Sequence, residues 1–356
     1  MRVVKNKKWR LGVPRALFYY YYGPWWEAFF QTLGVEVVVS PPTGKEIMDV
    51  GVSLAVAEAC LPVKVYYGHA AWLAPQVDAL LVPRLVSVEK KGFICPKLMG
   101  LPDMLRAALK PCPPIIDTTV NLARQPEKGL AAAVQGMAGA IGVKGRVVEQ
   151  AVAAATNRYR SWNDWQQGYN LDAAAGGDDR PAARVDTSSS GEAPGSSAGK
   201  IAPTLPGSSG GQPGGESSPL VGVIGHSYLI DDRYLGMDIP AKIARLGGKV
   251  ILPENLVAAQ METACRQLPK RIYWTLGWKI MGAALHLMEQ EEVAGLIHLT
   301  AFGCGPDSLV GDLAERYARR RGKPFLLVTL DEHSGTAGLD TRLEAFMDML
   351  RRRRPA

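Results

Sequence analysis

Short unbroken runs of Val, Ile and Leu recur along the chain, and stretches with helical spacing separate them. In the first half, residues 9–13, 35–39 and 79–83 read as strands with both faces buried. Pro24 is expected to open a helix through Trp25, Trp26, Phe29 and Phe30 that stops at Gly34. Residues 147–167 read as one long helix. The second half repeats the rhythm. Residues 220–225 make a buried strand that leads into a loop with His226, Asp231 and Asp232. A helix over 240–246 gives way at Gly247 and Gly248 to a strand over 249–252. Strands over 296–299 and 324–328 flank a helix over 307–321, and a closing helix is expected from Thr341. Continuous apolar strands alternating with amphipathic helices predict an α/β fold of two doubly wound parallel sheets.

The pattern breaks once. Of the 44 residues from 176 to 219, 25 are Gly, Ser or Pro and none is aromatic. Such a stretch buries too little apolar surface to offset its ordering entropy, so it is expected to be a disordered linker. As a flexible coil it would span roughly 35 Å. The expected organisation is an N-terminal α/β domain over 1–175, the linker over 176–219, and a C-terminal α/β domain over 220–356.

Composition adds limits. Nearly half the residues are apolar, yet no run approaches the ~18 residues of a membrane helix. The basic start is followed by no apolar signal core, which points to a cytoplasmic protein. Five cysteines, an odd number, argue against a secreted disulfide framework. The net charge of +7 sits in the N-terminal tail, around Arg316–Arg321 and in Arg351–Arg354. The second cluster complements a helix dipole and the third is a tail, so a nucleic-acid stripe is not expected. A phosphate-bearing ligand such as coenzyme A remains compatible with that charge.

The chemistry gathers on cysteines. Cys304 lies in Phe302-Gly303-Cys304-Gly305-Pro306-Asp307, directly after an apolar run. That context reads as a strand delivering a thiol into a turn at its carboxyl end, where open α/β sheets bind ligands. Gly303 and Gly305 remove side-chain bulk, so a large group is expected to approach the backbone there. Cys60 and Cys95 have similar settings, with Pro62 and Pro96 close behind. Three turn cysteines from distant segments would make a soft site for an iron–sulfur cluster or for zinc. Cys112, between prolines, is ambiguous, and Cys265 reads as a packing residue in mid-helix. The chain has no Cys-x-x-Cys, so any metal group must be assembled by the fold. It also lacks Gly-x-x-x-x-Gly-Lys-Ser/Thr, so ATP hydrolysis is not expected of it. Glu332 and His333 follow the last apolar strand and could act as acid and base or bond a cluster sulfur; a helix-capping role is the alternative. The aromatic run Tyr19 to Tyr22 with Trp25 and Trp26 reads as core packing or as the lining of a ligand pocket.

Several of these stretches match a known family. Residues 12–17, 40–42, 58–64 and 68–69 match in the first half; 302–308, 331–333, Gly338 and 342–346 match in the second. On them the chain resembles the 2-hydroxyacyl-CoA dehydratase-like superfamily, and within it the acyl-CoA dehydratase activase-related branch. The resemblance implies flavodoxin-like α/β domains and a [4Fe–4S] cluster held between them by Cys60, Cys95 and Cys304. It implies an anaerobic, oxygen-sensitive protein that takes low-potential electrons from an ATP-hydrolysing, cluster-bearing activase. Those electrons would pass to a bound substrate, such as an acyl-CoA thioester, for dehydration or reduction. A homo- or hetero-oligomer is expected, with no nucleic acid and no membrane. The competing expectations are an accessory electron relay that binds the activase without a substrate of its own, and a zinc-bearing or metal-free binding protein on the same scaffold.

Overall fold

The computed structural model describes residues 9–168 and 218–353. The expected linker, apart from its last two residues, lies outside the described residues. The first half runs β1 (Arg10–Val13), α1 (Tyr19–Thr32), β2 (Glu36–Val39), α2 (Lys45–Leu54), α3 (Leu61–Leu73), β3 (Ala79–Leu81) and β4 (Arg84–Ser87). It continues through α4 (Pro96–Met99), α5 (Leu101–Ala108), β5 (Ile115–Ile116), β6 (Thr119–Asn121), α6 (Pro126–Ala140) and α7 (Arg146–Gly168). The second half holds β7 (Leu220–Gly225), α8 (Ser227–Ile230), α9 (Ile239–Arg245), β8 (Lys249–Ile251) and α10 (Ala258–Ala264). It closes with α11 (Thr275–Glu289), β9 (Val293–Ala301), α12 (Gly305–Arg320), β10 (Phe325–Leu330) and α13 (Thr336–Arg353).

Each half builds a four-stranded parallel sheet of the same design. The first has the order β2-β1-β3-β5 and the second β10-β9-β7-β8. In both, the chain leaves the opening strand to one side, then returns and continues on the other. The switch points therefore fall between β1 and β3 and between β7 and β9. The central strands are apolar because helices cover both faces: Leu11, Val13, Leu80, Val221, Val223 and Ile297 are fully buried. This is the doubly wound α/β architecture that the periodicity predicts. A separate two-stranded sheet pairs β4, from the β3–β5 crossover, with β6, which follows β5.

Three expected boundaries move. The first helix begins at Tyr19 rather than Pro24, which sits inside it. Pro24 removes only the amide that would serve the Tyr20 carbonyl, so the loss stays near the helix start. Leu17, in the left-handed conformation at φ 51°, turns the chain from β1 into this helix. The closing helix begins at Thr336 rather than Thr341. Cys265 is not in mid-helix: it caps the carboxyl end of α10 and starts a 3-10 turn. Pro269 ends the 3-10 turn, since the residue before it, Leu268, is held in extended conformation.

The halves join through polar contacts and backbone. Tyr20 donates to Asp232 at 3.1 Å, and the Ser227 amide donates to the Tyr21 hydroxyl at 3.1 Å. Phe93 and Trp274 bridge in parallel, with the Thr275 amide donating to the Phe93 carbonyl at 2.9 Å. Arg271 pairs with Glu89 at 2.8 Å. The aromatic run of α1 is thus a packing surface: Tyr22 meets Tyr159 of α7, and Tyr21 meets Tyr228. Among the described residues no helix is long and apolar enough to cross a membrane.

Candidate metal centre

Cys304 follows β9, and His226 follows β7. Those two strands are neighbours and flank the switch point of the second sheet, so their carboxyl ends place both residues at one crevice. Cys60 and Cys95 reach it from the other half, out of the turns before α3 and α4. All four line a single cavity at the junction of the halves, walled by Phe93, Ile94, Trp274 and Leu276. The cavity has about 430 Å³ of atom-free space where it opens to solvent, of which only about 30 Å³ admits the centre of a water molecule.

The three cysteines share a local geometry. Each is the residue before a helix, and each helix carries proline in its first turn: Pro62 in α3, Pro96 in α4 and Pro306 in α12. Proline is tolerated there because first-turn amides have no partner within the helix. Free amides at the starts of the long helices α3 and α12 favour a negative group at the cavity.

Two details hold the cysteine turns together. Lys97 donates to the carbonyls of Glu58 and Gly303, at 2.6 and 3.3 Å, so one ammonium ties the Cys60 and Cys304 loops. Gly303 sits at φ +77°, and a Cβ there would lie 3.4 Å from the Cys60 Cα. Its missing side chain lets the two loops touch, rather than admitting a ligand as the sequence suggested. Gly305 differs: nothing lies within 4 Å of a Cβ built on it.

Electrostatics set the resting state of the thiols. Burial pushes the Cys60 thiol up, against the Val63 amide and the Lys97 charge. Cys304 is raised by burial and by the neighbouring Asp307 charge, with the Asp307 amide opposing. Both are therefore protonated at neutral pH without metal, and a metal would displace those protons.

Asp307 lies one turn beyond Cys304. Burial alone would raise it, but His226, His298 and the Thr300 hydroxyl hold its carboxyl at about 2. His298 Nε2 is 3.1 Å from Asp307 Oδ1, and His226 Nε2 is 3.9 Å from Oδ2. His226 stacks on Tyr228, with ring centroids 4.7 Å apart and planes 17° apart. His226, Cys304 and Asp307 form the one trio among the described residues whose potential ligand atoms all lie within 4.8 Å of one another. Cys60, Cys95 and Cys304 form no such trio. Zinc bonds of about 2.3 Å would place tetrahedral sulfurs only about 3.8 Å apart. The thiols surround the cavity more widely than one ion needs, and a polynuclear group suits that spread better.

The other expected residues fall outside the cavity. Glu332 pairs with Lys64 of α3, across the halves, and Lys64 holds its carboxyl below the usual range. His333 is exposed, and its amide donates to Asp331 Oδ1 at 3.0 Å in a tight turn. Cys112 lies by its own neighbour's carbonyl, and buried Cys265 faces the Trp278 carbonyl. Sequence reasoning placed His226 in a loop without assigning it a role, and passed over Asp307 and His298. The available signal was that Gly225-His226 ends a buried strand just as Gly303-Cys304 follows one.

Fold and site together define a two-sheet α/β protein with a thiol-lined cavity between the sheets. The chain belongs to the CoA enzyme activase uncharacterised domain family, whose model matches residues 10–256. This is the activase-related branch that the sequence resembles, and the matched span contains Cys60, Cys95 and His226 but ends before Cys304. No curated protein matches the chain.

Proposed function

We propose that this cavity binds a [4Fe–4S] cluster on Cys60, Cys95 and Cys304, and that the protein carries low-potential electrons from an ATP-hydrolysing activase. The carrying observation is that three cysteines from distant segments line one cavity. Their spread beyond a single ion's reach supports the cluster over zinc. Such a cluster supplies one-electron transfer at low potential. The chain's own contribution is to hold three sulfurs, to set Lys97 and the α3 and α12 amides near them, and to limit water with Phe93, Trp274 and Leu276.

In this proposal residues 1–175 and 220–356 are the two domains, and the cluster sits where they meet. Gly303 keeps the Cys304 loop against Cys60, and Gly305 leaves open space at the start of α12. Glu332 acts through Lys64 as a positioning residue. The electron acceptor is a bound substrate of the acyl-CoA thioester class, undergoing dehydration or reduction. A relay role without a substrate is the second reading.

Anaerobic reconstitution with iron and sulfide tests the ligand set. Wild type and the Cys112→Ser variant should take up iron and show visible charge-transfer absorption, and Cys60→Ser, Cys95→Ser and Cys304→Ser should not. Equal loading of all the variants would overturn the assignment, and stoichiometric zinc without iron would carry the zinc-binding alternative.

A further inference from the structure

His226 belongs to the same cavity as the three cysteines but plays no part in holding the fold that its contacts explain. It is only 5% exposed, and its Nδ1 has no hydrogen-bond partner among the described residues. A buried, unpartnered ring nitrogen is costly and rare unless something occupies it. The ring is fixed on both sides. Tyr228 stacks against its face, and its Nε2 edge is directed to the Asp307 carboxylate, which His298 holds from the other oxygen. The carboxylate stands 3.9 Å from Nε2, outside hydrogen-bond reach but close enough to orient the imidazole once a metal is held, as carboxylates do for metal-bound histidines. The third observation is place: His226 lines the cavity from the carboxyl end of β7, beside the strand that delivers Cys304.

We infer that His226 is the fourth protein ligand of the metal group, so that the site is a closed set of three sulfurs and one nitrogen. This rests on the cluster assignment above and, within it, takes the relay reading over an acyl-CoA acceptor bound to this chain. A closed set leaves no iron position for a substrate, so the cluster serves as an electron relay, and any acyl-CoA chemistry occurs on a partner. Asp307 and His298 are positioning residues, acting through the imidazole. Nitrogen in place of a fourth thiolate also raises the reduction potential relative to an all-cysteine site.

The test is pulsed EPR on the dithionite-reduced, cluster-loaded full chain, with natural-abundance and then 15N-labelled histidine. The wild-type cluster should show a strongly coupled nitrogen that changes to the 15N pattern on labelling. His226→Ala should lose that coupling. His226→Cys should keep its iron, lose the coupling and shift to a lower potential, which guards against a variant that merely fails to fold. Asp307→Asn should keep the coupling with a shifted potential. A loaded wild-type cluster without a coupled histidine nitrogen overturns this inference and leaves the three-cysteine assignment standing. A folded wild type that takes up no cluster overturns both.

Discussion

The two halves build the same sheet and use it differently. In the second half the carboxyl ends of β7 and β9 deliver His226 and Cys304 straight to the switch point. In the first half the carboxyl ends of β1 and β2, away from the switch point, are tied to each other. There the Arg15 amide bonds the Ser40 hydroxyl at 2.8 Å, and the Arg15 side chain bonds the Ser40 carbonyl at 3.0 Å. That half contributes Cys60 and Cys95 from its crossovers instead. A shared scaffold fixes where ligands can bind, and the loops decide which half supplies them.

The sharpest break in this comparison is Cys304→Ser, expected to abolish iron binding while leaving the circular dichroism of the fold unchanged. Cys265→Ser, in the same half but away from the cavity, should lose stability and keep its iron.

The cross-half pair comes next. Glu332→Gln leaves the buried Lys64 ammonium without its partner and should cost about 3 kcal/mol in denaturant unfolding. Replacing both residues by apolar ones of similar size should recover most of that loss, and failure to recover would show that the pair does more than join the halves.

A third prediction concerns His69, fully buried against Thr43, which also donates to Asp232 of the other half. Burial and the Arg15 charge lower its pKa to about 3. The unfolded chain takes up a proton near pH 6.5 that the folded chain refuses. Stability attributable to this group is therefore complete above about 6.5 and falls as pH drops toward about 3, by up to about 1.4 kcal/mol per pH unit. Thr43 and Asp232 link it to the junction, so the loss should show as separation of the halves. A His69→Phe variant with an unchanged acid limb would remove His69 from the account.

The smallest effect is Gly303→Ala, which puts a side chain at φ +77° and against Cys60. It should cost about 1 kcal/mol and loosen the Cys60–Cys304 contact, read as faster cluster loss in air.

Much of this was legible in the sequence. The β7 strand carries an unbroken apolar pattern and was placed at its observed bounds, and the run before Cys304 announced a carboxyl-end thiol. Less legible were the crossovers around Cys95, where β4, β5 and β6 have only two to four residues and show no period. His226, His298 and Asp307 escaped for a different reason. A histidine within or just after an apolar strand gives no sign in one dimension of whether it meets a carboxylate, and only strand adjacency brings residues 226, 298 and 307 together.

The central claim is a cluster at the junction of the halves. Its most direct test is the iron and acid-labile sulfide content of wild-type protein purified under strict anaerobiosis, with EPR of the dithionite-reduced form. The account predicts about four of each per chain and a reduced-cluster signal, both lost in Cys304→Ser. Folded protein with no iron, or with one zinc in its place, would contradict it.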